Sequence, residues 1–412
     1  MRGREVEDRP IIVVGAGVAG ISAIDALREN GFEGRIVLLS KESTPPYDRP
    51  PLSKEVLSSD TLPSNVWLRN DAFYAANGVE LRLGVSAVSI DPCSNTVTLS
   101  DGTQLAYDKL LLTTGSRART MPLLPAEKPH VHYLRTLDDA RRLRHDMATL
   151  AEGAKAAIVG AGIIGLEVAA AASALGLQVT VIEAGDRPLA RSASPSLAAF
   201  LARAHAEHGV DIRCGVQITN IGERDSSYIL SLSDGSEIAA NLIVVGIGVL
   251  PNAEVAVSAG LDVAPEGVSV DAQGRTSVKN IYAAGEVAFH RNEHHGAQRR
   301  DETWQHAANH GAHVARCMLG LSDAYAEISA YWTDQYGYNI QVVGDPHDTH
   351  DVIRGNIASG SFLIFHLRDS LVVGISAINA ARELRRSRHL VMASASVPEM
   401  VLSDITADLT KY

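Results

Sequence analysis

One pattern constrains this chain more than any other, and it occurs twice. Ile11 to Ser40 reads IIVVGAGVAGISAIDALRENGFEGRIVLLS, and Ala156 to Ala184 reads AAIVGAGIIGLEVAAAASALGLQVTVIEA. Each has an apolar run, a glycine turn, a run of small residues, a glycine exit and a second β-branched run. That is the order of a βαβ unit. In Gly15-Ala-Gly17-Val18-Ala19-Gly20 and in Gly160-Ala-Gly162-Ile163-Ile164-Gly165, the first glycine makes the tight turn. The second lets the backbone approach a pyrophosphate, and the third lets helix and strand pack closely. Amides and dipole at the start of the following helix then hold the phosphates. A lone motif of this kind is weak. Two, each in a strand–turn–helix–strand context, predict two dinucleotide sites.

The acid closing the second strand of each unit tells nucleotides apart. Glu183 ends VTVIE in the second unit. A carboxylate there accepts the ribose hydroxyls and repels a 2′-phosphate, so NADH is expected over NADPH. Arg187 and Arg191 follow closely and are candidates for a phosphate or the adenine. In the first unit Glu42 is the expected ribose acid, with Lys41 beside it.

At 412 residues the chain is long enough for two or three domains. Between and after the two units, Val79 to Leu105 and Val210 to Ile238 alternate apolar and polar residues around turn signals, which predicts antiparallel ribbons. A helix is expected from about Thr303 to Met318. Beyond Ala326 come strand-like YWTDQYGYNIQVVG, a strand pair around Phe362–Phe365 and Leu371–Ser376, and a short basic helix. The fold class expected is α/β: two Rossmann-like (βαβ) nucleotide-binding domains with antiparallel ribbon insertions, plus a C-terminal α+β domain.

Cys93, Cys214 and Cys317 form no CxxC pair, which argues against a local zinc knuckle, iron–sulfur cluster or dithiol. A sparse, odd count fits a reducing, cytoplasmic setting. The net charge of −11 argues against nucleic acid. No apolar run is long enough to span a membrane. Arg2 and Arg4 ahead of an apolar stretch could suggest a signal peptide, but the stretch holds the glycines of the first fingerprint and no clear cleavage site follows. Histidines crowd one region, at His290, His294, His295, His306, His310 and His313. His306, His310 and His313 have helical spacing, but without an HExxH arrangement no metal is expected. A helix face near the cofactor or a partner is expected instead.

The motifs occur in a fixed order: GAGVAG, then PYDRPPLSK from Pro46 to Lys54, TTGSR, GAGIIGLE, and YAAGE ahead of a helix. This resembles the FAD-dependent pyridine-nucleotide reductases, and within them the ferredoxin reductases serving bacterial aromatic-ring dioxygenases and cytochrome P450 systems, and the rubredoxin reductases. The resemblance spans essentially the whole chain. It implies an FAD domain at 1–117 and 245–325, an NAD domain at 118–244 inserted in it, and a C-terminal α+β domain at 326–412. It implies FAD contacts from Gly15, Gly17, Val18, Ala19, Gly20, Glu42, Arg49, Lys54, Val88, Thr114, Gly115, Arg135, Glu286, Val287 and Trp304. NAD contacts are implied for Gly160, Gly162, Ile163, Ile164, Gly165, Glu167, Glu183, Arg187, Arg191 and Gly248. Lys54 would lie near the flavin N5 edge, and Glu167 would pair with it and point toward the nicotinamide. One departure stands out: the family usually has Gly-Asp where this chain has Gly285-Glu286. The carboxylate acceptor is kept but is one methylene longer.

Relatives that reduce disulfides or peroxide carry redox cysteines near the first helix, and residues 41–56 hold none. Electrons must then leave the flavin for an acceptor outside the chain. The expectation is NADH to FAD to a [2Fe–2S] ferredoxin or a rubredoxin, with a terminal oxygenase served indirectly. A rubredoxin reductase, an NADH oxidase, or a redox interaction protein like apoptosis-inducing factor are the alternatives. A basic patch is needed to meet an acidic partner. Arg299 and Arg300, or Arg382, Arg385, Arg386 and Arg388, are the candidates.

Overall fold

A computed structural model describes residues 9–225, 227–292, 296–321 and 324–412. Arg2, Arg4, His294 and His295 lie outside the described residues. The chain forms two compact units. The first comprises Met1–Asp48, Ser64–Arg117 and Val249–Ser329; the second comprises Arg49–Pro63, Ala118–Gly248 and Ala330–Tyr412.

The first unit is built on a parallel sheet in the order Ile281–Ala283, Lys109–Leu112, Ile11–Val14, Ile36–Leu39, Val79–Arg82. The sequences IIVV and IVLL are buried at every position, because both faces of the sheet are covered. Helix Val18–Glu29 covers one face with Ile21, Ile24 and Leu27. Helix Trp304–Met318 lies on that helix, and Thr303 caps its first turn by accepting the His306 amide. Gly311 permits the approach, since a Cβ there would meet the Ala19 carbonyl oxygen at 2.2 Å. The antiparallel ribbon consists of Ala87–Asp91, Thr96–Leu99 and Gln104–Ala106. It does not begin at Val79 as expected. Val79–Arg82 pairs parallel with Ile36–Leu39 and closes the main sheet.

The second unit repeats the plan. Its parallel sheet runs Asp211–Arg213, Gln178–Ile182, Lys155–Val159, Leu242–Val245, Val131–Tyr133, with helix Ile163–Ala174 following the second fingerprint. The ribbon is Ile218–Arg224, Ser227–Leu232 and Glu237–Ala240. Asp211–Arg213, placed in the ribbon by its alternation, belongs to the parallel sheet. The C-terminal part is an antiparallel sheet in the order Ala330–Gln335, Tyr338–Gly344, Leu371–Ile378, Ser361–Arg368, His350–Asn356. Helix Ala381–Met392 packs against Leu371–Ile378. The His350–Asn356 strand carried no signal in the sequence. It is an edge strand in which only Val352 is buried, so HDVIRGN shows no apolar alternation. Among the described residues, no helix is long and apolar enough to cross a membrane.

Candidate functional site

The two glycine turns have the same geometry. Gly15 and Gly160 have φ of +116° and +103°, a region open to glycine and strained for other residues. A Cβ on Gly15 would meet the Thr113 carbonyl oxygen at 2.2 Å, and one on Gly160 would meet the Gly246 carbonyl oxygen at 2.4 Å. Cβ atoms on Gly20 and Gly165 would meet the Gly15 and Gly160 carbonyl oxygens at 2.2 and 2.0 Å. At Gly17 and Gly162 a Cβ would meet nothing within 4 Å. The protein needs glycine for its own packing at the first and third positions. At the second it leaves space open before the N-terminus of a twelve-residue helix. Such a cradle fits a pyrophosphate, and both turns have it.

Other residues of the first unit that the sequence singles out are held by their own hydrogen bonds or packing. Glu42 accepts a 2.5 Å hydrogen bond from the Tyr47 hydroxyl, which fixes the carboxylate after the second strand. The Thr114 hydroxyl donates to the Asn252 carbonyl at 2.7 Å, and Asn252 Nδ2 donates back to the Thr114 carbonyl at 2.9 Å. The next residue, Gly115, takes φ +60°. Trp304 Nε1 donates to Asp48 Oδ1 at 2.6 Å, fixing the indole at the start of its helix. Arg300 Nε donates to the Glu286 carbonyl at 2.9 Å, and its guanidinium lies 3.9 Å from the Glu286 carboxylate. The Val287 side chain is buried in the hydrophobic core. Val88 is half exposed on the ribbon. Thr113 was not singled out by the sequence. Its hydroxyl donates to the Gly15 carbonyl at 2.8 Å and braces the first turn.

In the second unit, Glu183 clamps its own loop. Its Oε2 accepts the Ala161 amide and its Oε1 the Gly185 amide, both at 2.7 Å. The carboxylate is therefore held beside the second glycine turn. Arg187 turns onto the loop carbonyls of Ala193 (3.0 Å) and Ala190 (3.4 Å). Arg191 is exposed, with Gly248 beside its guanidinium.

Glu167 is the main surprise in an otherwise apolar helix, IIGLEVAAAASA, because it is buried there. A buried carboxylate must be paired or neutralised. Lys54 Nζ lies 2.8 Å from its Oε1, the Thr333 hydroxyl donates to the same oxygen at 2.6 Å, and the Ser53 hydroxyl donates to Oε2. Lys54 also donates to the Pro50 carbonyl at 3.2 Å. The Pro50–Ser53 turn, stiffened by two prolines, presents both Ser53 and Lys54. Behind Thr333 the order continues: Gln335 Nε2 donates to the Thr333 hydroxyl (3.0 Å), and His205 Nε2 meets Gln335 Oε1 (2.8 Å). Arg49 donates to the Arg135 carbonyl nearby in the chain fold of this unit. The pairing of Lys54 and Glu167 follows the expectation, whereas Ser53, Thr333, Gln335 and His205 had no sequence signal.

Of the two basic patches, Arg299 and Arg300 are engaged by acids. Arg299 lies 2.8 Å from Asp301 and Arg300 3.3 Å from Glu302, and the Arg300 side chain is largely buried. Arg382, Arg385, Arg386 and Arg388 are all exposed on helix Ala381–Met392, whose opposite face buries Leu384, Leu390 and Val391. The crowded histidines do not form a surface face: His306, His310 and His313 are all buried, with His290 against the first two. Burial holds the imidazole of His290 down at about 3, that of His306 at about 4, and that of His310 well below the usual range. These rings are therefore uncharged at neutral pH. Ser376, His366 and Asp351 have the bond order of a hydrolytic triad, at 2.7 Å for each link. Ser376 and His366 are fully buried within the C-terminal sheet, so this chain is a strut and not a nucleophile.

Residues 9–311 match the family described as pyridine nucleotide-disulphide oxidoreductase, and residues 330–412 match a reductase C-terminal family. The anthranilate 1,2-dioxygenase system ferredoxin–NAD(+) reductase component of Burkholderia cepacia is 40% identical over 405 residues, covering 98% of this chain and 99% of that protein. A rubredoxin–NAD(+) reductase of Pseudomonas putida is 42% identical over 336 residues, covering 81% of this chain and 86% of that protein. The crystal structure of the ferredoxin reductase for the CYP199A2 system from Rhodopseudomonas palustris superposes with a TM-score of 0.93 at 35% identity. It covers 98% of this chain and 99% of that one.

Proposed function

The chain belongs to the pyridine nucleotide-disulphide oxidoreductase family, and we propose that it is an NADH-dependent FAD reductase that passes electrons to a [2Fe–2S] ferredoxin feeding an oxygenase. The observation that carries this reading is the pair of glycine turns, each open at its second glycine before a helix N-terminus. One chain thus offers two dinucleotide cradles, while residues 41–56 supply no thiol to relay electrons. A likeness spanning the whole chain to a dioxygenase ferredoxin reductase favours ferredoxin over rubredoxin as acceptor.

We assign FAD to Gly15, Gly17, Val18, Ala19 and Gly20, with Glu42 on the ribose and Thr114, Gly115, Glu286, Val287 and Trp304 along the remainder. Val88, Arg49, Arg135 and Lys54 complete the set that the family resemblance implies. NADH is assigned to Gly160, Gly162, Ile163, Ile164, Gly165, Glu183, Arg187, Arg191 and Gly248. FAD then forms its domain from 1–117 and 245–325, NADH occupies 118–244, and 326–412 is the C-terminal α+β domain.

FAD, when bound, supplies the conversion of a hydride pair into single electrons. The chain supplies position and charge. Glu183 holds its carboxylate where a ribose diol can bond to it and a 2′-phosphate is repelled. Lys54 places a fixed positive charge against developing negative charge. Glu167 holds that ammonium in place, with its own two oxygens fixed by Thr333 and Ser53. No general base is called for, because hydride transfer depends on stacking at close range. The exposed arginines of helix Ala381–Met392 would steer an acidic ferredoxin. We place the protein in the cytoplasm, where its three free cysteines stay reduced. The test is the visible spectrum of the purified protein followed by ferricyanide reduction with NADH. Flavin bands and rapid turnover are expected, and no flavin bands after added FAD would end the assignment.

A further inference from the structure

We propose that His290, His306 and His310, with Asp301, form a binding site for a divalent metal ion of the zinc class. The three imidazoles come from two elements: His290 from strand Ala288–Asn292, and His306 and His310 from successive turns of helix Trp304–Met318. One nitrogen from each ring lies within 4.8 Å of the others. The ring centroids are 4.6, 4.7 and 4.9 Å apart.

The cluster is polar but internally unpaired. Among the described residues, both nitrogens of His290, Nε2 of His306 and Nε2 of His310 are buried with no hydrogen bond of normal geometry. A buried polar atom left in this state costs roughly 1–3 kcal/mol. Four in one spot are hard to explain as packing, since amide or apolar side chains would fill the same space. An imidazole nitrogen with no proton on it offers its lone pair, as a metal ligand must, and for His310 that requires the proton to move from Nε2 to Nδ1. Asp301 supplies the fourth ligand. Its Oδ2 lies 3.7 Å from His290 Nε2 and 3.9 Å from His306 Nδ1, too far for hydrogen bonds, and its Oδ1 is held by Arg299 at 2.8 Å. Three histidines and a carboxylate suit tetrahedral zinc at about 2.0–2.2 Å. Closing on the ion needs inward shifts of about an ångström, because ligand nitrogens around zinc sit roughly 3.4 Å apart.

His313, at helical spacing from His306 and His310, is not part of the proposed site. His313 Nε2 is used by the Ala272 carbonyl at 3.0 Å. His290, which no spacing rule connects to the helix, takes its place. The site also bears on the Gly285–Glu286 turn: the Gly285 amide donates to His310 Nδ1 at 3.1 Å. A neutral His310 bound to metal through Nε2 carries its proton on Nδ1, so loading the ion releases that amide.

The experiment uses the full-length protein, expressed without a histidine tag and stripped by chelator. Zn²⁺ and Co²⁺ are then titrated separately, with metal content read by mass spectrometry and the Co²⁺ form by visible absorption. One tightly held equivalent is expected, with the intense d–d bands of tetrahedral cobalt and no thiolate charge-transfer band. His306→Asn and His290→Gln should weaken binding by about a hundredfold or more, and His313→Gln should not. Retention of less than a tenth of an equivalent by the wild-type protein, or binding that survives both ligand substitutions, overturns the proposal. Should the variants fail to fold, the wild-type cobalt spectrum decides: octahedral, weak bands or a thiolate band overturn it. Each readout is independent of flavin and of turnover, so the result stands whatever becomes of the proposed function.

Discussion

Lys54 Nζ and Glu167 Oε1 lie 2.8 Å apart, with the glutamate buried and the lysine nearly so. Neither charge is tolerable without the other: removing one partner of a buried pair typically costs about 3–5 kcal/mol, because the remaining charge is stranded. Glu167→Leu and Lys54→Met are therefore each expected to lower the thermal midpoint strongly. The double variant Lys54→Met with Glu167→Leu should recover most of the loss. Calorimetric melts of the four proteins complete the cycle. Additive single effects, with no recovery in the double variant, would show that the pair is not a coupled unit.

The glycine geometry separates packing from binding. Gly20→Ala forces a Cβ against the Gly15 carbonyl and should disrupt the first turn even without ligand. Gly17→Ala meets open space, so the apoprotein should melt within about 0.5 kcal/mol of wild type. Its retained FAD, measured by absorbance after gel filtration, should nevertheless fall at least about tenfold, because the methyl group occupies the path of the pyrophosphate. Gly162→Ala should likewise leave stability intact and raise the KM for NADH. Full FAD retention in Gly17→Ala contradicts the cradle.

Acid stability should show two windows. Burial presses the His205 imidazole down to about 4, against the opposing hydrogen bond that its Nε2 donates to Gln335 Oε1. The unfolded chain takes up a proton near pH 6.5 that the folded one refuses. Stability contributed here is complete above pH 6.5 and declines by about 1.4 kcal/mol per pH unit down to about 4. Burial alone would raise Asp351, but hydrogen bonds from His366, Ser196 and Ser194 outweigh it and bring the carboxyl to about 2. Its contribution is complete above the unfolded value of 3.8 and is lost as pH falls through about 2. Urea unfolding of His205→Asn between pH 7 and 4 should show a slope shallower by about one proton. An unchanged slope would remove His205 from the explanation.

The exposed arginines offer a further test. Arg385→Ala with Arg386→Ala should lower kcat/KM for an acidic ferredoxin several-fold and flatten its dependence on ionic strength. Ferricyanide reduction should stay unchanged. An unaltered salt dependence would move the docking surface elsewhere.

How much of this was legible in the sequence depended on how local the signal was. The two fingerprints carry their whole logic within six residues each, so both turns could be read directly. Lys54 and Glu167 could be paired only through family resemblance, since no spacing rule joins the Pro50 turn to a helix after the second fingerprint. Thr333 and His205, which complete the order around Glu167, come from elements far away in sequence and have ordinary surroundings there. Val79–Arg82 and Asp211–Arg213 were misplaced for a related reason. At a sheet edge a short parallel strand is covered on fewer sides, so its alternation mimics a ribbon. Helical spacing of histidines was visible, but the partner His290 arrives from a strand, and only the fold brings it in.

The central claim is the direction of electron flow, and anaerobic stopped-flow absorbance tests it most directly. The FAD-loaded protein is mixed with a [2Fe–2S] ferredoxin and either NADH or NADPH. The account predicts catalytic bleaching of the ferredoxin with NADH, at a kcat/KM at least about tenfold above that with NADPH, given the carboxylate of Glu183 at the ribose. A flavin that NADH reduces without any bleaching of the ferredoxin, or faster turnover with NADPH, would contradict it.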